Sequence, residues 1–410
     1  MDLRLDGAAL RFQEGLRTFL ASHWRGPDAD GISPDDPTAF FAAATRQGYL
    51  YRHIPKCWGG AGAAPDPLLD DIIDREFDAV GAPTGLRGEG PDMLVPTLLE
   101  RGTEEQRSEF IAPTLRGEIT WCQGYSEPDA GSDLASLRCR AVLEGDEWVV
   151  TGQKIWTSSA HHADWMFGLF RTEPEKPRHA GISYLLIPMK QPGIEVRPLK
   201  QMTGSDEFNE VFLDGARTHI RYTVGQRGEG WAVSRATLAH ERALIGNPRK
   251  VQRQFEDLVE LARRSHRGGR AAIKDPGIRR RLVEIEGYLL SQRYTRLRLL
   301  SAAVSGEEAK VAMPMLMSKL HTNDIGKMIV QLALDLTDAE EGLHTPDPSR
   351  AILGAADIPG AWTAKYMFSH GSALGGGAPN IQRNLIGERA LGLPRDPRPQ
   401  PKSGTTGEGS

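Results

Sequence analysis

Cysteine is scarce: 410 residues hold three, Cys57, Cys122 and Cys139. They cannot build a disulfide framework, and no pair has metal-ligand spacing, so a reducing compartment is the simplest setting. No apolar run approaches the roughly 18 residues that span a bilayer. The opening MDLRLDGAAL mixes acids into its apolar residues, unlike a signal or transit peptide. The expectation is a cytoplasmic protein with no membrane span. A basic excess is also missing: 50 Lys and Arg face 54 Asp and Glu, for a net charge of -4. That removes the footprint of a general nucleic-acid binder. There are no internal repeats.

Glycine is abundant. Its 45 residues are about 11% of the chain, against an average near 7%. With 39% hydrophobic and 25% charged residues, the chain is neither collagen-like nor disordered. Many turns or close backbone approaches are the expected cause. The length suggests two or three domains.

Helical signals fill residues 1–118. Asp66-Pro67 is a cap with proline in the first turn, followed by an apolar stripe from Leu68 to Val80. Thr103 and Gln106 form a capping box, and Pro113 is expected to stop that helix. PKCWGGAG (55–62) is a glycine-rich loop. Short β runs occupy 119–228, with a hairpin around Glu144-Gly145-Asp146-Glu147 and later runs at 164–171, 181–188, 193–199, 209–213 and 219–224. The helical period returns over 229–395, at about 231–264, 276–305, 308–339, near 360–371 and again to about 390. Residues 341–360 are loop-like, and the tail 396–410 is expected to be disordered.

Two segments carry candidate chemistry. In SEPDAGSD (126–133), small residues let backbone N–H groups approach a ligand, and Ser126 and Ser132 add hydroxyls. In GQKIWTSSAHHADW (152–165), a Trp precedes three hydroxyl residues, a flat face beside hydrogen-bonding groups. Taken singly, these are also a polar turn and a strand with a Trp.

Together with four further segments in order, they make the chain resemble the acyl-CoA dehydrogenase family. The others are PKCWGGAG (55–62), GTEEQRSEFIAP (102–113), LAHER (238–242) and IQRNLIGERALGLPR (381–395). The resemblance implies an α+β multidomain fold: an N-terminal helical domain, a middle β-barrel and a C-terminal four-helix bundle. It also implies FAD between the β domain and the bundle, α,β-dehydrogenation of an acyl-CoA thioester, and electron-transferring flavoprotein as acceptor.

Carried over by motif, Tyr125 and Ser126 meet the flavin pyrimidine edge. Trp156 lies beside the isoalloxazine, and Thr157 and Ser158 follow it, Ser158 at the hydride-accepting nitrogen. Ser132 contacts the pantetheine arm and Arg242 lies near the CoA groove. Of the arginines in ARRSHRGG, Arg264 rather than Arg267 is assigned to the cofactor.

The usual catalytic Glu of many members stands six residues before the Gln of the Ile-Gln-Arg run. Here that position is Gly376, counted from Gln382, within Gly375-Gly376-Gly377. A second branch of the family carries the Glu in a Leu-x-x-Glu-Arg motif on the first bundle helix, which Leu238 to Arg242 matches. Glu241 is therefore the expected base, with the Gly376 backbone N–H kept as a carbonyl-polarising donor. His161, His162 and His240 are reserve acid–base candidates. The side-chain space vacated at 375–377 implies tolerance of branched, bulky or steroid-derived acyl groups. The family's Gln-x-x-Gly-Gly-x-Gly loop has no counterpart in 341–360. The expected assembly is a homotetramer or dimer, or an α2β2 complex with a related subunit. Two alternatives are a non-catalytic partner subunit and a flavin oxidase or desaturase of secondary metabolism.

Overall fold

The computed structural model describes residues 5–26, 37–245, 248–307, 312–337 and 362–395. The expectations for 341–360 and for the tail 396–410 lie outside them.

The chain begins with helices. In α1 (Gly7–His23) the Asp6 carboxylate caps Ala9 N at 2.8 Å. After α2 (Thr38–Arg46), α3 (Pro67–Ala79) starts as the sequence indicates, with Asp66 accepting from Leu68 N and Leu69 N. Leu16, Phe19, Phe40, Ile72 and Phe77 close a first core between these helices. A π-turn over Gly90–Leu94 runs into α4 (Val95–Arg101). The capping box forms at the start of α5 (Glu104–Leu115). Pro113 does not stop α5: it lies inside the last turn, and the helix ends two residues later, before Gly117 at φ 74°. The glycines of 55–62 serve packing. A Cβ on Gly60 would stand 2.1 Å from the Ile54 carbonyl oxygen.

Eight strands follow: β1 (Trp121–Gly124), β2 (Arg140–Glu144), β3 (Glu147–Ser158), β4 (Trp165–Arg171), β5 (Ile182–Pro188), β6 (Ile194–Pro198), β7 (Phe208–His219) and β8 (Thr223–Val224). They form one sheet in the order β6-β7-β3-β2-β4-β5-β8, with β1 parallel to β4. The runs expected at 209–213 and 219–224 are instead the long strand β7, a 3-10 turn and the two-residue β8. Strands β4 and β5 are buried on both faces. Met166 and Phe170 join the core inside the sheet, while Phe167 and Leu169 join a second core with Leu98, Phe110 and Ile111 of the helices.

The stretch expected to be helical over 231–264 holds α6 (Gly230–Ile245) and α7 (Pro248–Arg264), with residues 246–247 between them outside the described ones. Helix α6 packs on β5, α4 and the 90–94 turn. The bundle core comes from α7, α8 (Pro276–Ser305), α9 (Ala312–Leu334) and α10 (Trp362–Ser372), through Phe255, Leu258, Ile285, Ile329 and Trp362. A turn over 373–378 leads into α11 (Pro379–Leu385). No helix among the described residues is long and apolar enough to cross a membrane.

Charge joins the first helices to the bundle. Asp71 of α3, 8% exposed, lies 2.6 Å from Arg296 of α8 and 3.8 Å from Arg249 of α7. Asp74 adds a contact to Arg249 at 3.4 Å, although burial raises its own pKa. Asp71→Asn leaves two arginines short of a counter-charge, a loss of about 2 kcal/mol. The expected outcome is a thermal midpoint several degrees lower; an unchanged midpoint would show that the seam carries no stability.

Candidate active site

The loop after β1 is held by a buried ion pair. Lys154 on β3 is fully buried, and its Nζ donates to Glu127 Oε1 at 2.8 Å and to the Leu169 carbonyl at 2.7 Å. It also reaches the Tyr125 carbonyl at 3.3 Å. Glu127 accepts from Arg138 N and Cys139 N. Its backbone forms a reciprocal pair with Ala130, which folds Pro128-Asp129 into a tight turn. Ile155 N donates to the Ser126 carbonyl at 2.9 Å. The Tyr125-Ser126 segment is thereby fixed beside the end of β3.

That end is irregular. The β3–β7 register slips between Lys154 and Thr157, and Trp156 sits at φ 60°, a strained conformation for a bulky residue. Its indole is 58% exposed and meets only the edge of Phe208 among the aromatic rings described, at 6.2 Å. Thr157 is turned inward. Its Oγ1 is buried and has no hydrogen-bond partner among the described residues.

Ser158 next to it acts on Glu89, which stands just before the 90–94 turn, and favours its charged form. Burial is the largest influence on Glu89 and raises its pKa to about 7; Asp92 and Glu241 add to the rise by repulsion. Glu241 is half-buried on α6 and also acts electrostatically on Tyr125. Tyr125 lies edge-on to Tyr184, and Thr237 of α6 reaches Thr97 Oγ1 at 2.9 Å. Burial pushes both tyrosine hydroxyls above their ordinary range. Tyr125, Ser126, Trp156, Thr157 and Ser158 thus lie together where β1 and β3 meet, and Glu89 links Ser158 electrostatically to Glu241 of α6.

The other expected residues fall around this centre. Ser132 is exposed on the 126–133 loop. Arg242 follows Glu241 on α6. Arg264 is exposed at the last position of α7, and no described contact brings it to the site. Gly376 lies in the turn between α10 and α11 at φ 60°. The reserve histidines are otherwise engaged. His161 bonds Asn209 Oδ1 at 3.0 Å and packs against His162, and His240 pairs with Glu100 at 3.0 Å. Sequence reasoning missed Glu89. The signal was Gly88-Glu89-Gly90-Pro91, an acid between glycines at a helix start.

The fold is an α–β–α architecture, helices flanking one sheet in chain order, and comparison supplies the family. Residues 8–118, 122–216 and 228–391 match the N-terminal, middle and C-terminal domains of acyl-CoA dehydrogenases. The chain belongs to the acyl-CoA dehydrogenase family and is an enzyme of that family. It is 42% identical to acyl-CoA dehydrogenase IpdE1 of Mycobacterium tuberculosis over 327 residues, 78% of this chain and 79% of that one. The Tcur3481-Tcur3483 steroid ACAD superposes with a TM-score of 0.76 at 26% identity, covering 97% of this chain and 100% of that one. The ChsE4-ChsE5 complex from Mycobacterium tuberculosis gives 0.75 at 26% identity, with the same coverage of 97% and 100%.

Glu89 predicts a pH dependence. Its ordinary value of 4.5 applies to the unfolded chain and about 7 to the folded one, so folding binds its proton more tightly. The stability this group contributes is complete below about pH 4.5 and lost as pH rises through 7. The slope is at most about 1.4 kcal/mol per pH unit. Glu89→Gln is expected to flatten the urea-unfolding free energy across that window relative to the unaltered protein. Equal slopes would refute the raised pKa.

Proposed function

We propose that this chain catalyses FAD-dependent α,β-dehydrogenation of a bulky, steroid-derived acyl-CoA thioester, with Glu241 as the base. The observation that carries this reading is that Glu241 of α6 acts electrostatically on Glu89 and Tyr125 while the family's other base position is Gly376. The residues present fit the cofactor. An unpartnered buried hydroxyl, Thr157 Oγ1, stands next to a bare indole face, Trp156. Ser126 and the Tyr125 backbone would hold the pyrimidine edge, Trp156 the ring face, and Thr157 and Ser158 the central nitrogens. Arg264, outside this cluster, would serve a cofactor shared with a neighbouring subunit.

The chain's part in the reaction follows from these positions. Gly376 N–H polarises the thioester carbonyl and makes the α-proton acidic. Glu241 takes that proton, and the Cα–H electron pair becomes the Cα=Cβ bond as hydride leaves Cβ. Bound FAD supplies the acceptor for that hydride, with electron-transferring flavoprotein as the onward acceptor. Ser132 and Arg242 would steady the CoA arm.

Two features support a bulky acyl group. A relative in the structural comparison is a steroid ACAD. A Cβ built on Gly375 would meet nothing within 4 Å, so the glycine turn leaves room. Complexes such as ChsE4-ChsE5 favour an α2β2 assembly over a homotetramer.

Glu241→Gln is expected to lower the rate of flavin bleaching by acyl-CoA about 10²- to 10⁴-fold with FAD still bound. Full activity in that variant overturns the assignment. A specific observation favours one rival: Glu89 is buried beside Ser158, with its pKa raised to about 7. Loss of bleaching in Glu89→Gln, with Glu241→Gln active, would transfer the base role to Glu89. Colourless, FAD-free protein when expressed alone would mark a partner subunit, and rapid reaction of reduced flavin with oxygen an oxidase. Across a panel of acyl-CoAs, steroid side-chain thioesters are expected to bleach the flavin fastest; strict preference for short straight chains would contradict that.

A further inference from the structure

The glycine turn that replaces the usual base is held from inside the bundle. Lys319 on α9 is 3% exposed, and its Nζ donates to the carbonyl oxygens of both Gly375 and Gly377. Gln382 Nε2 at the start of α11 donates to the Gly376 carbonyl between them at 3.3 Å. Three consecutive carbonyls are thus drawn towards the helices. Gly376 at φ 60° and Gly377 at φ 104° adopt backbone conformations that side chains disfavour, which permits this arrangement.

A peptide unit is planar, and the described residues have no cis bonds. In a trans unit the C=O and the following N–H point in opposite directions. The bond from Lys319 to Gly375 O therefore aims Gly376 N–H away from the ammonium. The bond from Gln382 to Gly376 O does the same for Gly377 N–H. Among the described residues, neither N–H donates a hydrogen bond. A cation on the carbonyl side of an amide also withdraws electron density from it, which strengthens its N–H as a donor.

We propose that Lys319, with Gln382, is a positioning residue for carbonyl polarisation. It turns the Gly376 amide outward and polarises it, so that a turn lacking any side-chain acid still supplies a strong donor. Gly377 N–H is the second donor of the pair. This rests on the dehydrogenation reading above. It accounts for a buried lysine whose charge serves backbone oxygens of the one segment where glycine replaces the base.

The test uses the FAD-loaded protein and an acyl-CoA analogue with sulfur at the β position, labelled with carbon-13 at the thioester carbonyl. Such an analogue binds without losing hydride. Infrared difference spectra then read the carbonyl stretch directly. In the unaltered protein the stretch is expected well below its solution value. In Lys319→Met it is expected to return most of the way to solution. With true substrate, kcat is expected to fall about 10²- to 10³-fold while KM stays within a few-fold and the flavin content is unchanged. A stretch in Lys319→Met equal to that of the unaltered protein overturns the clamp and leaves the dehydrogenation reading standing. No shift in the unaltered protein overturns that reading and the clamp with it. If Lys319→Met does not fold, Gln382→Leu decides: a partial return of the stretch supports the clamp, and an unmoved stretch refutes it.

Discussion

The buried contact between Lys154 and Glu127 sets the geometry on which the site depends. One ammonium with no exposure joins the loop after β1 to β3 and β4. Burying such a pair is rarely a net gain in stability, since desolvation offsets the attraction. Its value here is positional. Glu127 uses both oxygens, and Lys154 reaches two carbonyls, so the loop and strand have little freedom to move apart. Tyr125, Ser126 and the strained Trp156 are placed by that tie rather than by helix or sheet regularity alone.

On the proposed reading, a second constraint divides the catalytic work between distant segments. In a chain with an acid on the 373–378 turn, one loop would carry both proton acceptor and amide donor. Here glycine occupies the turn, and a carboxylate arrives from α6. Separating the two roles frees space around the reacting carbons. It also makes the turn dependent on support from behind, because three linked glycines have little stiffness of their own. Lys319 and Gln382 provide that support. Helix α6 packs against β5 and α4, and its described residues are not part of the bundle core.

Local chemistry was legible in the sequence. The Asp66 cap, the Thr103–Gln106 capping box and the turn at Gly145 each follow from residues within a few positions of one another. So did the ordered motifs that fix the family. What escaped depends on distance. Pro113 falls in a last turn where the helix still tolerates it. Glu89 is an ordinary acid in sequence, and its raised pKa comes from burial, from nearby Asp92 and from Glu241 on α6, far along the chain. Lys319 likewise acquires meaning only from carbonyls 56 and 58 positions along the chain.

The most direct measurement is a crystal structure of the protein with FAD and a non-reacting steroid acyl-CoA analogue. The account predicts a Glu241 carboxylate oxygen about 3–3.5 Å from the α-carbon. It also predicts the thioester oxygen about 2.7–3.1 Å from Gly376 N. A complex in which Glu89 is the carboxylate nearest the α-carbon, or in which Gly376 N–H faces away from the thioester, would contradict it.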